Sequence, residues 1–355
     1  MAGGIKVVAI YAAILSSRGH DVHVISIKKP KKIFDRLVKS KYFCGTGAFW
    51  YDSQGPSHLS SDNGIQWSIL NHKGPITDDD IGDCDVIIAT WWKTAEWLNR
   101  LARKDVSKFY FCQGYETHHI ESRARVEATY HLPLLKICVS NWVRESIRNL
   151  TGQKNQLVLP NGVDAAQFYA PSRVKSDVPV FGFLYSSSHW KGTDVVIQAL
   201  QLAKQVNPAI TAVCFGTLNP YGRSDFPSWI EIHQNPNQDY IRDIYGRCDG
   251  WLFGSRAEGF GLPILEAMAC RTPVIATPAG AAGELIVENN NGFLVEHENS
   301  EAMAAKILQI VDMSNGDWIR MSESAYVTAT RNDWGDSGSK LEEILSGSLT
   351  AKVLR

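Results

Sequence analysis

The chain has 355 residues, of which 44% are hydrophobic and 21% are charged, and its formal net charge is −1. At ~100–200 residues per domain, this length predicts two globular domains, each with a sizeable core. The balanced charge argues against nucleic acid as a partner, and no apolar run approaches the ~20 residues that a transmembrane helix needs. The N-terminus lacks the pattern of a signal peptide, so we expect a cytoplasmic protein.

The cysteines favour the same compartment. Their number is odd, none forms a C-x-x-C pair, and several fall inside apolar runs that resemble strands. We therefore expect buried reduced thiols rather than disulfides or zinc ligands. The seven positions are Cys44, Cys84, Cys112, Cys138, Cys214, Cys248 and Cys270.

Short apolar strands alternate with amphipathic helices along both halves of the chain. In the first half, the pattern predicts helix 5–17, strands 21–27, 65–70 and 84–90, helix 94–102, strand 108–113, helix 119–130, strand 136–140, helix 142–150 and strand 156–159. In the second half, it predicts strand 179–184, helix 193–205, strands 209–216 and 229–234, helix 238–248, strand 250–253, helix 263–270, strand 273–277, helix 282–288, strand 292–295 and helix 302–312.

This alternation is typical of parallel sheets that are covered by helices on both faces. Because it runs twice, we predict an α/β protein with two Rossmann-like parallel-sheet domains facing across a cleft. In open parallel sheets, ligands bind outside the carboxyl ends of the strands, so functional residues are expected in the loops that follow strands. The predicted division is a first domain at 1–163, a linker at 164–177, a second domain at 178–330 and a C-terminal helix at 331–355 that can cross back to the first domain.

The strongest motif follows predicted strand 250–253 and occupies residues 255–266, with the sequence SRAEGFGLPILE. Gly259 and Gly261 allow the backbone to approach a ligand closely. Pro263 suits the first turn of a helix. The combination of strand, glycines and proline is much more specific than two glutamates at this spacing alone.

The two carboxylates of this motif can reach different parts of one ligand. Glu258 lies before the predicted helix and Glu266 lies inside it, so a sugar and a ribose are the obvious partners. The free amides at the helix N-terminus, around Phe260 to Ile264 and so including Gly261 and Leu262, suit a phosphate. The alternative is a capped helix start with two solvated acids.

A second motif, the loop of residues 186–192, reads SSSHWKG and lies between a predicted strand and a predicted helix. Lys191 is placed to meet a diphosphate as a point charge. Ser186 and His189 offer further polar contacts in the same loop. A polar loop with an incidental lysine is the alternative interpretation.

The first half offers weaker candidates for the acceptor side. Gly3 and Gly4 precede the first predicted helix, where a phosphate or sugar could approach the backbone. Trp91 and Trp92 follow one predicted strand and could stack on a sugar, although tryptophan at a helix start is as often plain packing. Glu116 follows the next strand, in the segment QGYE.

We expect no metal site and no bound cofactor. The acidic run 78–80 follows Thr77 and is typical of a solvated first turn of a short helix. His118 and His119 lack acidic or thiol ligands at metal-binding spacing.

At these motifs the sequence resembles retaining glycosyltransferases of family 4, which have the GT-B fold. The resemblance extends over nearly the whole chain and is most specific at residues 258–266. The matching segments are 3–5, 17–22, 139–140, 160–164, 191–192, 258–266, 272–276 and 291–295.

This resemblance implies that the second domain binds the donor and the first domain binds the acceptor. Glu258 and Lys191 would be the catalytic residues, with Glu258 on the donor sugar and Lys191 neutralising the diphosphate leaving group. Glu266 would contact the ribose of the nucleotide. The amides of Phe260 and Gly261 would help to hold sugar or phosphate, and no metal would be needed.

Two departures from the family pattern concern ligand contacts. The dipeptide Gly182-Phe183 stands where family members commonly have Gly-Arg, so one diphosphate cation is missing unless Arg256 or His189 replaces it. The segment 113–116 stands where a histidine is usual. This second departure resembles a bacterial subgroup that works on surface polysaccharides.

We therefore expect transfer of a hexose-type sugar, with retention, from a nucleoside diphosphate sugar to a saccharide or lipid-linked acceptor in cell-surface polysaccharide biosynthesis. A lipid-linked acceptor would bring the protein into peripheral contact with the inner membrane face. The alternatives are a GT-B nucleotide-sugar epimerase and a catalytically impaired nucleotide-sugar-binding protein.

The start of the chain differs from the family pattern as well. Family members open with an apolar strand before the Gly-Gly loop, whereas here only Met1 and Ala2 precede it. That strand is central in a doubly wound sheet, and its loss would leave backbone groups unpaired. The sequence therefore predicts either an N-terminally incomplete chain or another segment, such as one from 42–51, in the vacant position.

Overall fold

The computed structural model describes residues 3–27, 65–117, 123–217 and 226–353. The chain divides into two compact units. The first contains the described residues up to Val139, then Val143–Leu159 and the residues from Trp334 onward. The second contains Ser140–Trp142 and Pro160–Asp333.

Strands and helices alternate along the described part of the chain. The strands are β1 (His23–Ile27), β2 (Gln66–Leu70), β3 (Val86–Ala89), β4 (Ser107–Cys112), β5 (Leu135–Cys138), β6 (Leu157–Val158), β7 (Val180–Leu184), β8 (Thr211–Gly216), β9 (Ile230–Gln234), β10 (Gly250–Phe253), β11 (Val274–Ala276) and β12 (Gly292–Leu294). The helices are α1 (Gly3–Ser17), α2 (Trp92–Arg100), α3 (Arg123–Tyr130), α4 (Asn141–Thr151), α5 (Thr193–Val206), α6 (Gln238–Gly246), α7 (Leu262–Ala269), α8 (Ala282–Leu285), α9 (Ser300–Asp312), α10 (Asn315–Thr330) and α11 (Trp334–Val353).

The first unit contains two parallel sheets among its described strands. One pairs β1 with β2, and the other has the order β3-β4-β5-β6. Phe109 on β4 and Ile137 on β5 are fully buried and anchor the larger sheet. The single first-half sheet that the sequence predicts is therefore present as two sheets, and no described strand joins β1 to β3. The predicted substitute segment 42–51 lies outside the described residues.

The two ends of the first unit pack together through α1 and α11. The ring of Tyr11 meets the ring of Trp334 edge-on, with centroids 5.4 Å apart. Gly338 lies directly against Ile14, where an added Cβ would overlap the isoleucine side chain. Arg18 then pairs with Glu342 at 2.8 Å. The small residue on α11 is thus what lets the two helices approach.

The second unit contains one six-stranded parallel sheet with the order β12-β11-β10-β7-β8-β9. The chain builds outward from β7 through β8 to β9, then returns to the other side of β7 with β10. This reversal makes the carboxyl ends of β7 and β10 the topological switch point, where open parallel sheets bind their ligands. Both strands are largely buried, with Phe181 and Leu252 in the core.

The segment predicted as a linker, 164–177, belongs to the second unit and packs within it. Phe168 is 1% exposed, and Arg173 forms an ion pair with the fully buried Asp249 at 3.0 Å. The indole of Trp318 on α10 donates to the carbonyl oxygen of Asp249 at 2.9 Å. These contacts connect segment 164–177 and helix α10 to Asp249, the residue directly before β10.

Five of the six cysteines in the described residues are buried and all six are unpaired, as predicted, while Cys44 lies outside the described ranges. Across the described ranges, every helix falls short of the length or the apolar character needed to span a bilayer.

Candidate active site

The motif after β10 folds as its glycines and proline predict. Gly261 has φ 97°, a left-handed conformation that strongly favours glycine, and it caps α7. Pro263 follows in the first turn. Gly280 packs against the carbonyl of Phe260, and Ala281 donates to that carbonyl at 2.8 Å. The backbone before α7 is therefore held in one conformation, as a phosphate-binding helix start requires.

The side chains within this motif divide between core and surface. Phe260 is 4% exposed, so its ring belongs to the core and only its backbone can face a ligand. Leu262 and Glu266 are half-buried. Glu258 has a side chain that is 19% exposed, which leaves its carboxylate open to a ligand.

Lys191 and Glu258 meet in the structure, although they are 67 positions apart and follow different strands. Lys191 lies on a 3-10 turn, His189–Lys191, in the loop after β7. Its Nζ donates to Oε2 of Glu258, and the two side chains are 25% and 19% exposed. A cation and an anion are thus placed together, partly open to solvent, at the switch point of the sheet.

The rest of the loop after β7 is fixed by hydrogen bonds. Ser186 donates its N–H to Oγ1 of Thr193 at 3.2 Å, and the Thr193 hydroxyl donates back to the Ser186 carbonyl at 2.9 Å. The Ser186 hydroxyl accepts from the N–H of Ser188 at 3.2 Å. Gly192 has φ 59°, and a Cβ there would overlap the carbonyl oxygen of Gly254. Ser186 therefore shapes the loop, and His189 is exposed at its outer side.

Glu266 has a partner that the sequence analysis did not identify. The hydroxyl of Tyr245, on α6, donates to Oε2 of Glu266 at 3.0 Å. Tyr245 is fully buried, and burial raises the pKa of its phenol well above the ordinary value. The phenol therefore stays a donor and fixes one carboxylate oxygen of Glu266. Only the folded chain brings α6 against α7, so no local sequence signal marks this contact.

Arg256, proposed from the sequence as a substitute diphosphate cation, forms ion pairs with carboxylates of this chain instead. It pairs with Asp194 and Glu298, and its side chain is 15% exposed. Hydrogen bonds from the guanidinium lower the pKa of both carboxyls. Phe183, where the family pattern has arginine, is 1% exposed and belongs to the core. Lys191 is thus the cation that the loop after β7 directs at the site.

In the first unit, Glu116 lies beside the start of α2. Its Oε2 accepts from the backbone N–H of Trp92 at 3.2 Å. Burial raises the pKa of this carboxyl to about 7. The N–H of Glu116 donates to the hydroxyl of Tyr130 at 3.0 Å, and that hydroxyl donates to the carbonyl of Gly114 at 3.2 Å. The loop after β4 is therefore ordered around a titratable carboxyl.

The other predicted acceptor-side residues differ in their availability. Trp92 is 4% exposed, so its ring packs in the core, whereas Trp91 is half-buried beside it. The Nζ of Lys93 lies 4.9 Å from the centroid of the Trp91 ring. Gly3 and Gly4 form the first turn of α1 instead of preceding it. The contacts of these residues with an acceptor stay a prediction.

The structure supplies no grouping that suits a metal within the described ranges. No set of three or more His, Cys, Asp or Glu residues is clustered there. Residues Asp78–Asp80 form the predicted short turn, and the Asp80 carboxylate accepts from both the N–H and the hydroxyl of Thr77 at 2.8 Å. His118 and His119 lie outside the described residues.

The family comparison matches the second unit. Residues 166–328 match the family model described as Glycosyl transferases group 1. Glycosyltransferase MJ1178 of Methanocaldococcus jannaschii is 29% identical over 181 residues, 50% of this chain and 49% of the relative. The mannosyltransferase LpcC of Rhizobium leguminosarum, described as acting in lipopolysaccharide core biosynthesis, is 31% identical over 173 residues, 42% of this chain and 48% of the relative. The chain thus spans about half the length of the curated relatives it matches.

Solved structures match over nearly the full chain. Sucrose-phosphate synthase from Thermosynechococcus elongatus has a TM-score of 0.71 at 16% identity, and the match covers 96% of this chain and 92% of the synthase chain. A glycosyltransferase from Rickettsia africae has a TM-score of 0.70 at 20% identity, and the match covers 98% of this chain and 94% of that one. At these identities the likeness concerns the fold, which is GT-B. Residues 166–328 therefore match the family model Glycosyl transferases group 1, in a chain with the GT-B fold.

Proposed function

We propose that the protein transfers a hexose-type sugar, with retention of configuration, from a nucleoside diphosphate sugar to a saccharide or lipid-linked acceptor. The proposal includes metal-independent chemistry of the kind expected for family 4. It places the protein in cell-surface polysaccharide biosynthesis, in the cytoplasm, with peripheral contact at the inner membrane face. Relatives with capsular and lipopolysaccharide names support that setting.

The contact between Lys191 and Glu258 carries this proposal. It brings a cation and a carboxylate together beside the glycine-capped start of α7, at the switch point of the sheet. A nucleotide sugar presents a diphosphate and sugar hydroxyls, which need these two kinds of partner. The HepE structure from Anabaena, solved in complex with UDP-glucose, supports a donor of this class. It has a TM-score of 0.62 at 23% identity.

The residues suggest how the reaction is assisted. The bond between the anomeric carbon and the diphosphate breaks, and the acceptor oxygen bonds to the same face of the sugar. Lys191 stabilises the negative charge that develops on the leaving diphosphate. Glu258 orients the sugar through its hydroxyls, and Glu266, held by Tyr245, orients the ribose. A donor phosphate oxygen takes the proton from the acceptor, so the protein supplies no nucleophile.

A thermal-shift panel of UDP-, GDP-, ADP- and dTDP-sugars identifies the donor, because the ligand that binds most tightly at equal concentration gives the largest shift.

With that donor, Glu258→Gln and Lys191→Ala should each lower kcat/KM by ~10²-fold or more while the melting temperature changes little. Glu301→Gln, at an exposed position of α9, is the matched control. Activity should persist in EDTA. Turnover at the wild-type rate by either site variant would overturn the assignment.

A second candidate is a nucleotide-sugar-binding protein that does not transfer the sugar. The observation that favours it is the loss of a second diphosphate cation, since Phe183 is buried and Arg256 is paired with carboxylates. The same panel separates the two candidates. Donor binding without transfer or hydrolysis, for any acceptor tested, would support the binding protein.

A further inference from the structure

Arg256 stands two positions before Glu258 and is held by two carboxylates. Its Nη1 and Nη2 donate to the two oxygens of Asp194 at 2.8 and 2.7 Å, a bidentate pair. Its Nε and Nη2 donate to the two oxygens of Glu298, the latter bond measuring 2.8 Å. Asp194 lies in the first turn of α5 and Glu298 precedes α9, so one guanidinium joins three separate segments of the second unit.

The same residue also binds the backbone of the loop that carries Lys191. Nη1 of Arg256 donates to the carbonyl oxygen of His189 at 2.6 Å. The backbone N–H groups of Arg256 and Ala257 donate to the carbonyl oxygen of Trp190 at 2.8 and 3.4 Å. The loop after β7 is therefore attached to the loop after β10 immediately beside both catalytic candidates.

These bonds occupy the whole guanidinium. Arginine has five N–H donors, and here the acceptors are Asp194 twice, Glu298 twice and His189 once. None is left to reach a phosphate. Lysine, in contrast, is a point charge on a flexible stem, so the place of its ammonium depends on the backbone that carries it. A diphosphate served by one lysine needs that backbone fixed.

We propose that Arg256 is a positioning residue that holds the loop of Lys191 in register with Glu258. It acts on the diphosphate through Lys191 and touches no ligand itself. This inference rests on the proposed function of Lys191. It explains how a site without the second diphosphate cation of the family pattern keeps its remaining cation in place.

The variants Arg256→Gln and Arg256→Lys test this role against the control Arg271→Gln. Arg271 is matched because its side chain is 13% exposed, pairs with Glu323 and donates to a backbone carbonyl, that of Ala170, at 2.9 Å. We expect Arg256→Gln to lower kcat by ~10²-fold, since small displacements of a catalytic group have that effect. Affinity for UDP should fall ~10-fold and affinity for UMP should stay unchanged.

Arg256→Lys keeps a positive charge between the carboxylates and should recover part of the activity. This variant guards against simple unfolding of the glutamine protein. Arg271→Gln should lower the melting temperature without changing the ratio of UDP to UMP affinity. A similar change of that ratio in Arg271→Gln would assign the effect to stability alone and overturn the proposal.

A double-mutant cycle with Lys191→Ala decides whether Arg256 acts through the lysine. If it does, Arg256→Gln has no further effect on UDP affinity once Lys191 is gone, whereas additive losses contradict the proposal. Inorganic pyrophosphate serves as a probe that is independent of the base. If Lys191→Ala leaves UDP and pyrophosphate binding unchanged, the proposed function fails. If Lys191→Ala weakens binding and Arg256→Gln does not, only the positioning role fails.

Discussion

The carboxyl of Glu116 links single-residue chemistry to stability. Burial raises its pKa from 4.5 to about 7, so the folded protein holds a proton that the unfolded chain has released between these pH values. The contribution of this group to the free energy of unfolding is therefore greatest below the unfolded pKa and is lost as pH rises through the folded pKa.

Glu116→Gln should consequently reduce the pH dependence of stability. As pH rises from 5 to 8, the free energy of unfolding of the variant should increase relative to that of the wild type, by at most about 3 kcal/mol. The reason is that glutamine needs no proton to remain neutral. Urea unfolding at both pH values measures the change. The exposed Glu301→Gln is the control, and a variant that follows the wild-type pH profile would contradict the burial of this charge.

At the residue level, the sequence identified the side chains that lie in loops after strands and missed those that act from a distance. Lys191 and Glu258 were predicted because each follows a predicted strand beside glycines, and the structure brings them into contact. The roles of Arg256 and Tyr245 could not be predicted. Their partners lie 62 and 21 positions away, and only the packing of the sheet and helices places them together.

At the scale of elements, Asp249 fixes the amino end of β10. Its side chain is fully buried, with Oδ1 accepting from Arg173 at 3.0 Å and from the N–H of Ser176 at 2.9 Å. Its Oδ2 accepts from the N–H of Val180 at 2.9 Å. One carboxylate thereby joins the preceding segment to the starts of β7 and β10, the two strands whose opposite ends carry the candidate site.

Asp249→Asn should destabilise the second unit by roughly 3 kcal/mol or more. The substitution removes the partner of a half-buried arginine and turns one acceptor oxygen into a donor facing a backbone N–H. Denaturant unfolding measures the loss, with the exposed Asp243→Asn as the control. Equal stability of the two variants would show that the buried carboxylate is dispensable.

The order of strands and helices was predictable, whereas their ends depended on side-chain hydrogen bonds. Predicted strand 273–277 is shorter as β11, and the hydroxyl of Thr277, directly after it, donates to the carbonyl of Ser255. Predicted helix 282–288 ends at Leu285, where Asn291 accepts from the N–H of Val287 at 2.8 Å and donates to the Leu285 carbonyl at 2.9 Å. Hydrophobic periodicity does not register such bonds.

At the scale of the whole molecule, the division into two compact units makes ligand effects separable. The predicted donor residues Lys191, Glu258 and Glu266 all belong to the second unit, and Glu116 belongs to the first. A ligand that binds only the folded form of one unit stabilises that unit by mass action. Local opening is then suppressed where the ligand binds and much less elsewhere.

Hydrogen exchange with and without UDP should therefore show protection that is concentrated in the second unit. We expect UDP to slow hydrogen exchange most in β10, in α7 and in the loop of residues 186–192, because these segments carry the Lys191–Glu258 contact. Strands β3 to β6 of the first unit should change little in the absence of acceptor. Lys191→Ala should abolish most of the protection at equal UDP concentration, which ties the effect to the diphosphate. Protection confined to the first unit would instead place nucleotide binding beside Glu116 and contradict the division of roles between the two units.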